Sequence, residues 1–260
     1  MSGEQRHPFG IDFGGSGIKG APVDLGTGEF AADRVRIETP TKATPENVAA
    51  VVAELVARAG LAPGVPVGLT VPGVVKRGVV HTAANIDPSW VGTDAEALFA
   101  DRLQRPVTIV NDADAAGLAE TRYGAASGQT GLVIVTTLGT GIGSALVFDG
   151  NLVPNSELGH LEVDGHDAES IAANSVRERK DLSWHAWAKA LSRYYRAVEA
   201  VLWPDLFVVG GGVSKHADKF LPLLDIDTPI VPATLLNRAG IVGAALLAQE
   251  RCPRWDSNPH

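Results

Sequence analysis

Short apolar runs alternate along this chain with segments in which apolar residues recur at helical spacing. Such runs are typical of buried strands, and several helical segments begin with a hydroxyl or a carboxylate that can cap a helix. The alternation predicts an α/β fold. Strands are expected at about residues 9–13, 18–24, 33–38, 65–71, 106–110, 132–148 as a hairpin, 206–209 and 228–232, and helices at about 44–60, 93–104, 112–123, 167–179, 183–203, 214–224 and from 238.

The first apolar run ends in a carboxylate and a glycine-rich turn. Asp12 is followed by Gly14-Gly15-Ser16-Gly17 and then by Lys19. Glycines allow backbone N–H groups to converge on an anion, and a carboxylate beside them can hold a hydrated Mg²⁺. The glycine spacing also fits a dinucleotide-binding fingerprint, but Pro22 follows and prevents the helix that this fingerprint requires. The segment therefore predicts a phosphate-binding hairpin, with an ordinary tight hairpin as the alternative.

A second hairpin of the same kind follows in the other half of the chain. Residues 132–148 form an apolar run, the turn Gly139-Thr140-Gly141 and a further apolar run. The two turns are offset by 125 residues (139 − 14). This repeat predicts a duplicated architecture in which two phosphate-binding loops face each other across a cleft.

Composition favours a compact enzyme and excludes several other classes. The chain has 260 residues, 45% of them hydrophobic and 20% charged, as is usual for a globular α/β protein. It has no apolar run of 18 residues and no signal-like apolar segment near Met1. Cys252 is the single cysteine, which excludes disulfides and fits a reducing cytoplasm. The net charge of −8 argues against general nucleic-acid binding, so a polyanionic ligand would need a local basic strip.

Asn111 and Asp112 stand where an apolar strand ends and a helix begins. Ligands of open α/β sheets bind outside the carboxyl ends of the strands, so Asp112 is placed to face a cleft. A carboxylate there could deprotonate a substrate hydroxyl during attack on phosphorus. A plain helix cap is the alternative, and the two roles are compatible because Asn111 or Asp114 could contribute to the cap.

Two polar segments could bind a sugar. Glu157 and His160 flank a glycine, and their hydrogen-bonding groups suit vicinal hydroxyls, whereas a solvated loop or a zinc site with His166 are alternatives. Asn85 offers a donor and an acceptor, and Trp90 offers a flat apolar face.

A third glycine-rich turn follows the strand at 206–209. Gly210, Gly211 and Gly212 precede a predicted helix N-terminus that carries Lys215, where a backbone could approach an anionic ligand. The helix at 183–203 is rich in aromatic residues, which favours core packing or a subunit contact over a cofactor site. Those residues are Trp184, Trp187, Tyr194 and Tyr195.

The combined motifs resemble those of ROK-family sugar kinases, over about residues 8–248. The motifs that carry this resemblance are, in chain order, Asp12-x-Gly-Gly-Ser, Asn111-Asp112, Leu138-Gly-Thr-Gly-Ile-Gly143, Glu157-Leu-Gly-His160 and Gly210-Gly-Gly212. Within the family, residues 14–21 and 157–169 look like those of polyphosphate glucokinases. The resemblance implies a two-lobed actin-like, hexokinase-like (ribonuclease H-like) fold with a cleft. The expected small lobe is 1–112, with a helix at about 238–250 packing back on it, and the expected large lobe is 113–237.

The resemblance also implies a reaction and a set of site residues. The reaction is transfer of a terminal phosphoryl group from inorganic polyphosphate, and often also ATP, to the 6-hydroxyl of glucose. Asp112 matches the catalytic base, and Asp12 matches the acid near Mg²⁺. The sugar positions are Asn85, Asn111, Asp112, Glu157, His160 and Glu169, the last as the equivalent of a later sugar-binding glutamate of the family. The donor positions are Gly14, Gly15, Ser16, Gly17, Lys19, Gly139, Thr140, Gly141, Gly211, Gly212 and Lys215.

One departure from the family concerns zinc. Many members follow the Gly-His pair with a cysteine-rich zinc motif, and this chain has no cysteine there, so structural zinc is not expected and His160 should be available to the sugar. An enzyme that uses ATP alone is an alternative. A sugar-sensing repressor is another, disfavoured because only eleven residues precede Asp12. Relatives are typically homodimers, and we expect the same here.

A long polyanion must be attracted by a chain with a net charge of −8. Lys19, Lys215, His216 and Lys219 lie on or just after the predicted phosphate loops. We expect them to form a basic track, with scattered surface charge as the alternative.

Overall fold

A computed structural model describes residues 7–83 and 86–251, so the predicted sugar residue Asn85 lies outside the described residues. The chain divides into two compact units, one of Met1–Ala115 with Arg238–His260 and one of Ala116–Asn237. The strands are β1 (Phe9–Gly14), β2 (Gly17–Asp24), β3 (Glu29–Phe30), β4 (Val35–Ile37), β5 (Val67–Val71), β6 (Val75–Lys76), β7 (Val79–Val80), β8 (Val107–Asn111), β9 (Leu132–Leu138), β10 (Ile142–Phe148), β11 (Asn151–Val153), β12 (Glu162–Val163), β13 (His166–Asp167), β14 (Leu206–Gly210) and β15 (Ile230–Pro232). The helices are α1 (Pro45–Arg58), α2 (Ala95–Leu103), α3 (Asp112–Tyr123), α4 (Ala168–Ala172), α5 (Asn174–Arg179), α6 (Trp184–Leu202) and α7 (Ala239–Arg251).

The first unit is built on a mixed sheet. Its strands lie in the order β3-β2-β1-β5-β8, with β4 also paired to β2. β1 and β2 are an antiparallel hairpin, whereas β1, β5 and β8 run parallel. α7 packs against β1 and β5. A Cβ on Gly10 would stand 1.8 Å from the Ile241 carbonyl oxygen, so only glycine permits this close contact between strand and helix.

The second unit repeats the plan of the first. Its sheet has the order β11-β10-β9-β14-β15, in which β9 and β10 are the antiparallel hairpin and β9, β14 and β15 run parallel. Each sheet therefore has a hairpin, a third antiparallel strand outside it and two parallel strands on its other side. The duplicated architecture predicted from the two glycine turns is confirmed.

Two predicted helices differ from the structure. The segment expected as one helix at 167–179 is broken into α4 and α5, because Ala173 adopts an extended conformation with φ −61° and ψ 152°. The segment expected as a helix at 214–224 consists of 3₁₀ turns at Gly212–Lys219 and Leu221–Leu223. His216 leaves helical geometry there (φ −115°, ψ 22°), and Pro222 lacks the amide hydrogen that an α-helix would need.

The large aromatic side chains lie in the cores of the two units. Trp90 is fully buried between Phe13 and Phe99, and its indole N–H donates to the Ala43 carbonyl at 2.7 Å. The prediction that Trp90 offers a face to a sugar was therefore wrong. In α6, Trp187, Tyr194 and Tyr195 are fully buried, so core packing is their role and they cannot form a subunit contact. No helix in the described part of the chain has the length and apolarity to cross a membrane.

Candidate active site

The first glycine turn joins β1 to β2 through Gly15 and Ser16. Its backbone is held from one side, because Thr39 Oγ1 donates to the Gly14 carbonyl at 2.6 Å and an Arg36 Nη2 donates to the Ser16 carbonyl at 2.9 Å. Among the described residues, no atom beyond the chain neighbours lies within 4 Å of the point that a Cβ would take on Gly15. The turn therefore has a braced face and an open face, as a loop that receives a ligand on its backbone requires.

Asp12 lies on β1, three residues before Gly15. Thr70 Oγ1 donates to its Oδ1 at 3.4 Å, and Lys19 Nζ is 3.7 Å from its Oδ2, across the β1–β2 register pair. Burial raises the pKa of the Asp12 carboxyl above its ordinary value, while Lys19 and the hydrogen bond from Thr70 oppose the rise. The side chain still keeps 26% of its exposure, so a hydrated cation can reach it. The structure thus brings Asp12 and Lys19 together, and Lys19 is partly neutralised by Asp12.

Asn111 and Asp112 mark the passage from β8 to α3. Asn111 Oδ1 accepts from the amides of Ala113 at 2.8 Å and Asp114 at 3.0 Å, and its Nδ2 donates to the Gly73 carbonyl at 3.1 Å. Asn111 is therefore the principal cap of α3, which was one of the possibilities left open by the sequence. Asp112 Oδ1 also accepts from the Ala113 amide at 2.9 Å, and the residue is exposed at the carboxyl end of the parallel strands.

The second glycine turn has three residues, Gly139, Thr140 and Gly141, because Leu138 pairs with Ile142. The start of α5 braces it: the Ser175 amide donates to the Gly139 carbonyl at 3.0 Å, and Ser175 Oγ donates to the Thr140 carbonyl at 2.6 Å. The strand that ends in Gly210 pairs with β9, so the turn at Gly211 and Gly212 lies beside this second loop. The second unit therefore gathers two of the predicted donor segments.

Basic and aromatic side chains cluster next to these donor segments. The Arg177 guanidinium carbon lies 4.2 Å from the centre of the Trp184 ring, and Lys219 Nζ lies 5.8 Å from the same ring. The His216 ring centre is also 5.8 Å from it. Lys215 and Lys219 are exposed. His216 and Lys219 thus share one cluster, whereas Lys19 belongs to the other unit.

The predicted sugar segment is clamped onto β10. A Cβ on Gly159 would stand 2.2 Å from the Ile142 carbonyl oxygen, which explains the glycine between Glu157 and His160. Ser144 Oγ completes the clamp by donating to the Ser156 carbonyl at 2.8 Å and accepting from the Leu158 amide at 2.9 Å. This arrangement fixes the backbone that carries the Glu157 and His160 side chains, both of which are exposed.

Glu169 links the sugar segment to the second glycine turn. Its Oε2 accepts from the Ile142 amide at 3.1 Å, and a Cβ on Gly141 would stand 2.2 Å from the same oxygen. Burial raises the pKa of Glu157, with a further rise from Glu169 and an opposing effect of His160. The structure therefore brings Glu157, His160 and Glu169 into one electrostatic neighbourhood beside Gly141.

A hydrogen bond from His160 identifies a residue that sequence reasoning missed. His160 Nδ1 lies 2.8 Å from Asp167 Oδ2, and this bond is the main reason that the pKa of His160 is raised. In the described part of the chain, His160, Asp167 and Glu169 are also a group whose ligand atoms, within 4.8 Å of one another, could hold a cation. Arg36, Ser175 and Arg177 were missed as well. The carboxylate seven residues after His160 and the arginines near the glycine turns were visible, but their pairing depends on tertiary contacts.

A surface cavity of about 340 Å³ in the second unit contains none of the predicted site residues. Its polar groups are largely paired with one another: Arg196 with Asp225, and Glu199 Oε1 with the amides of Asp227 at 3.1 Å and Thr228 at 2.6 Å. The candidate site therefore rests on the glycine turns and the side chains around them.

Comparison with known proteins gives the same assignment along almost the whole chain. The ROK family model matches residues 8–175. The polyphosphate glucokinase of Mycobacterium tuberculosis (strain H37Rv) is 56% identical over 243 residues, which are 93% of this chain and 91% of that protein. The crystal structure of the inorganic polyphosphate/ATP-glucomannokinase from Arthrobacter sp. strain KM superimposes with a TM-score of 0.89 at 56% identity and covers 95% of this chain and 100% of that one.

A more distant structure with bound ligands shares the fold. The ROK family glucokinase from Streptomyces griseus, in complex with glucose and AMPPNP, superimposes with a TM-score of 0.81 at 25% identity, over 94% of this chain and 99% of that one. ROK sugar kinases have a two-lobed, hexokinase-like fold, and the predicted fold class is confirmed. The chain belongs to the ROK family.

Proposed function

We propose that this chain is a polyphosphate glucokinase, which transfers the terminal phosphoryl group of inorganic polyphosphate to the 6-hydroxyl of glucose. The observation that carries this proposal is the 56% identity to the Mycobacterium tuberculosis polyphosphate glucokinase over 93% of the chain. The Arthrobacter relative, named for polyphosphate and ATP, supports ATP as a second donor.

Asp112 is the proposed general base. Its carboxylate accepts the proton of the glucose 6-hydroxyl while that oxygen forms a bond to the terminal phosphorus. The bond from this phosphorus to the bridging oxygen breaks, and the polymer leaves one phosphate shorter. Asn111 caps α3 and helps to orient the Asp112 side chain, because both side chains accept a hydrogen bond from the Ala113 amide. In such transfers the protein contributes mainly alignment and charge neutralisation.

Glu157, His160 and Glu169 are the proposed sugar ligands of the second unit, with Asn85 and Asn111 proposed in the first. The clamp of Gly159 on Ile142 supports this role, since it presents the Glu157 and His160 side chains on a fixed backbone. A site built to bond each hydroxyl discriminates strongly against sugars that lack one. The loss of any one ligand should therefore raise the KM for glucose more than the KM for the donor.

Mg²⁺ is the proposed cofactor, with Asp12 as its protein ligand through water. The fit rests on a partly exposed carboxylate three residues before a glycine turn whose open face can receive phosphates. Mg²⁺ usually keeps several waters and binds through one or two carboxylates and the substrate phosphates, a requirement that a single carboxylate near a phosphate-binding turn would meet. When bound, it would neutralise charge on the donor phosphates.

The polymer itself is proposed to bind the glycine turns and the basic residues near them. In the second unit these are Arg177, Lys215, His216 and Lys219, and in the first they are Arg36 and Lys19. Arg36 supports the proposal because its guanidinium donates to the Ser16 carbonyl and so places a positive charge at the first turn. The homodimer expected from the family resemblance stays a prediction.

The test is glucose-6-phosphate formation by the purified protein, with nucleotide-free polyphosphate or ATP as donor and with Mg²⁺ or excess EDTA. We expect turnover with polyphosphate that stops in EDTA. Turnover with ATP alone would contradict the donor assignment and favour an ATP-dependent glucokinase. The absence of product with both donors would overturn the proposed function.

A further inference from the structure

The link between His160 and Asp167 is short and has a defined direction. An ionised carboxylate only accepts hydrogen bonds, so at 2.8 Å from Asp167 Oδ2 the Nδ1 atom of His160 must carry the hydrogen. This fixes the tautomer of the ring and leaves Nε2 as the ring nitrogen that faces a ligand. Histidine orientation in functional sites is commonly set by such a partner on the second nitrogen.

A tight hairpin brings Asp167 back to His160. β12 and β13 pair with Glu162 opposite Asp167, and the turn between them is Asp164-Gly165, with φ values of 54° and 77°. Aspartate and glycine are the residues that tolerate positive φ at both central positions of a two-residue hairpin turn. The segment from 161 to 167 thus folds on itself and places a carboxylate against the imidazole.

Asp167 also contacts Glu169, whose carboxylate lies beside the second glycine turn. Its Oδ1 accepts from the Glu169 amide at 3.1 Å and so caps α4, and the Glu169 carboxylate accepts from the Ile142 amide directly after Gly141. One side chain therefore bonds the His160 ring with one oxygen and the Glu169 backbone with the other. Both of its partners are proposed sugar ligands.

We propose that Asp167 is a positioning residue of the sugar site, which holds the His160 ring through Nδ1 so that Nε2 is directed to glucose. The inference deepens the proposed function and rests on it. Asp167 acts through His160 and touches neither the donor nor the reacting oxygen in this proposal. The charged groups around His160 are Asp167, Glu157 and Glu169, and all three favour its protonated form.

The test is a double-mutant cycle on purified protein. Asp167→Asn keeps an oxygen that can cap α4, because asparagine is as good a cap as aspartate, but it removes the carboxylate that accepts from Nδ1. We expect the KM for glucose to rise roughly tenfold, the loss typical of a charge-assisted hydrogen bond, and the KM for polyphosphate to stay within about twofold. His160→Gln should raise the KM for glucose by at least as much. Added to His160→Gln, Asp167→Asn should have no further effect beyond about twofold.

Asp164→Asn is the matched control, since Asp164 lies in the same hairpin, has positive φ that asparagine also tolerates, and pairs with Arg193 instead of His160. It should leave both KM values unchanged. Additive effects of Asp167→Asn and His160→Gln, or equal rises in both KM values, would overturn the proposal in favour of a purely structural cap. Stoichiometric metal in the native protein whose removal reproduces the effect of Asp167→Asn would also overturn it.

Glucose binding by calorimetry separates this inference from the proposed function. If the native protein binds glucose without turning it over, the same cycle on the Kd for glucose tests Asp167 although the kinase proposal has failed. If the native protein neither binds nor phosphorylates glucose, both proposals fall. The thermal midpoint of each variant is measured alongside. Should Asp167→Asn fold poorly, the same cycle is run with Asp167→Ser, which also keeps an oxygen that can cap α4.

Discussion

In the first unit the strand before the glycine turn carries Asp12, whereas the corresponding position 125 residues later, on β9, is Thr137. The two sheets have the same strand order, yet they differ in what stands at the ends of their strands. β8 ends at Asn111 and leads into Asp112, whereas the matching β15 leads into the buried Ala233. Duplication thus supplied two equal scaffolds, and the carboxylates proposed to handle the proton and the metal lie on only one of them.

The glycine turns of the two units also differ in length and in surroundings. The first has two residues and is braced by Arg36 and Thr39, and the second has three residues and is braced by Ser175. The second lies beside a carboxylate of the proposed sugar site, that of Glu169. In our proposal the first unit therefore carries out the chemistry, and the second unit contributes most of the recognition.

The strongest test of this division is Asp112→Asn. Loss of the general base should lower kcat by roughly 10²–10⁴-fold while the KM for glucose changes little, because the amide can keep the bond to the Ala113 amide but cannot take a proton. Steady-state kinetics with polyphosphate measure the effect. Asp101→Asn, at an exposed aspartate of α2, is the control and should behave like the native protein. If Asp112→Asn retains near-full kcat, the base must be sought elsewhere.

Asp12 and Thr137 allow a paired test of the metal assignment. Asp12→Asn should raise the Mg²⁺ concentration for half-maximal rate by roughly 10–100-fold, and Thr137→Val at the matching strand position should not. The raised pKa of Asp12 adds a pH dependence, because protons compete with Mg²⁺ for this carboxylate. The Mg²⁺ concentration that the native protein requires should therefore increase as pH falls towards that pKa. This increase should begin at a higher pH than it would with an aspartate of ordinary pKa. Equal Mg²⁺ titrations for both variants would remove Asp12 from this role.

The basic residues of the second unit should attract the polymer electrostatically. Lys215→Gln combined with Lys219→Gln should raise the KM for polyphosphate several-fold and flatten its dependence on salt, because exposed charges act on a polyanion through screened attraction. The KM for glucose should not move. Lys189→Gln, at an exposed lysine of α6, is the control. A native KM for polyphosphate that does not respond to salt would contradict the basic track altogether.

Local patterns predicted the longer strands, the glycine turns and most helices, because apolar spacing and caps act between near neighbours. They did not predict short strands such as β3, β11, β12 and β13. Trp90 shows where this reasoning ends: an indole in a polar segment suggests a sugar face, but Phe13 from a distant part of the chain and Phe99 from α2 pack against it and bury it. The break at Ala173 is not marked by a glycine or a proline, whereas the end of the helix predicted at 214–224 could have been anticipated from Pro222. Asp167 was missed for a related reason, since the Asp164-Gly165 turn that brings it to His160 was not recognised as a hairpin.

The smallest expected effect concerns the stability that His160 gains from its carboxylates. Its pKa is raised in the folded protein, chiefly by the bond to Asp167, so this contribution is fully present below the unfolded value of about 6.5 and is lost as pH rises through the folded value. The difference in unfolding free energy between native protein and His160→Gln should therefore be larger at about pH 5.5 than at about pH 8.5, as measured by urea denaturation. In an Asp167→Asn background the pH dependence of that difference should shrink, because the main cause of the shift is gone. A difference that grows with pH would show that the folded protein favours the neutral ring, contrary to the geometry around Nδ1.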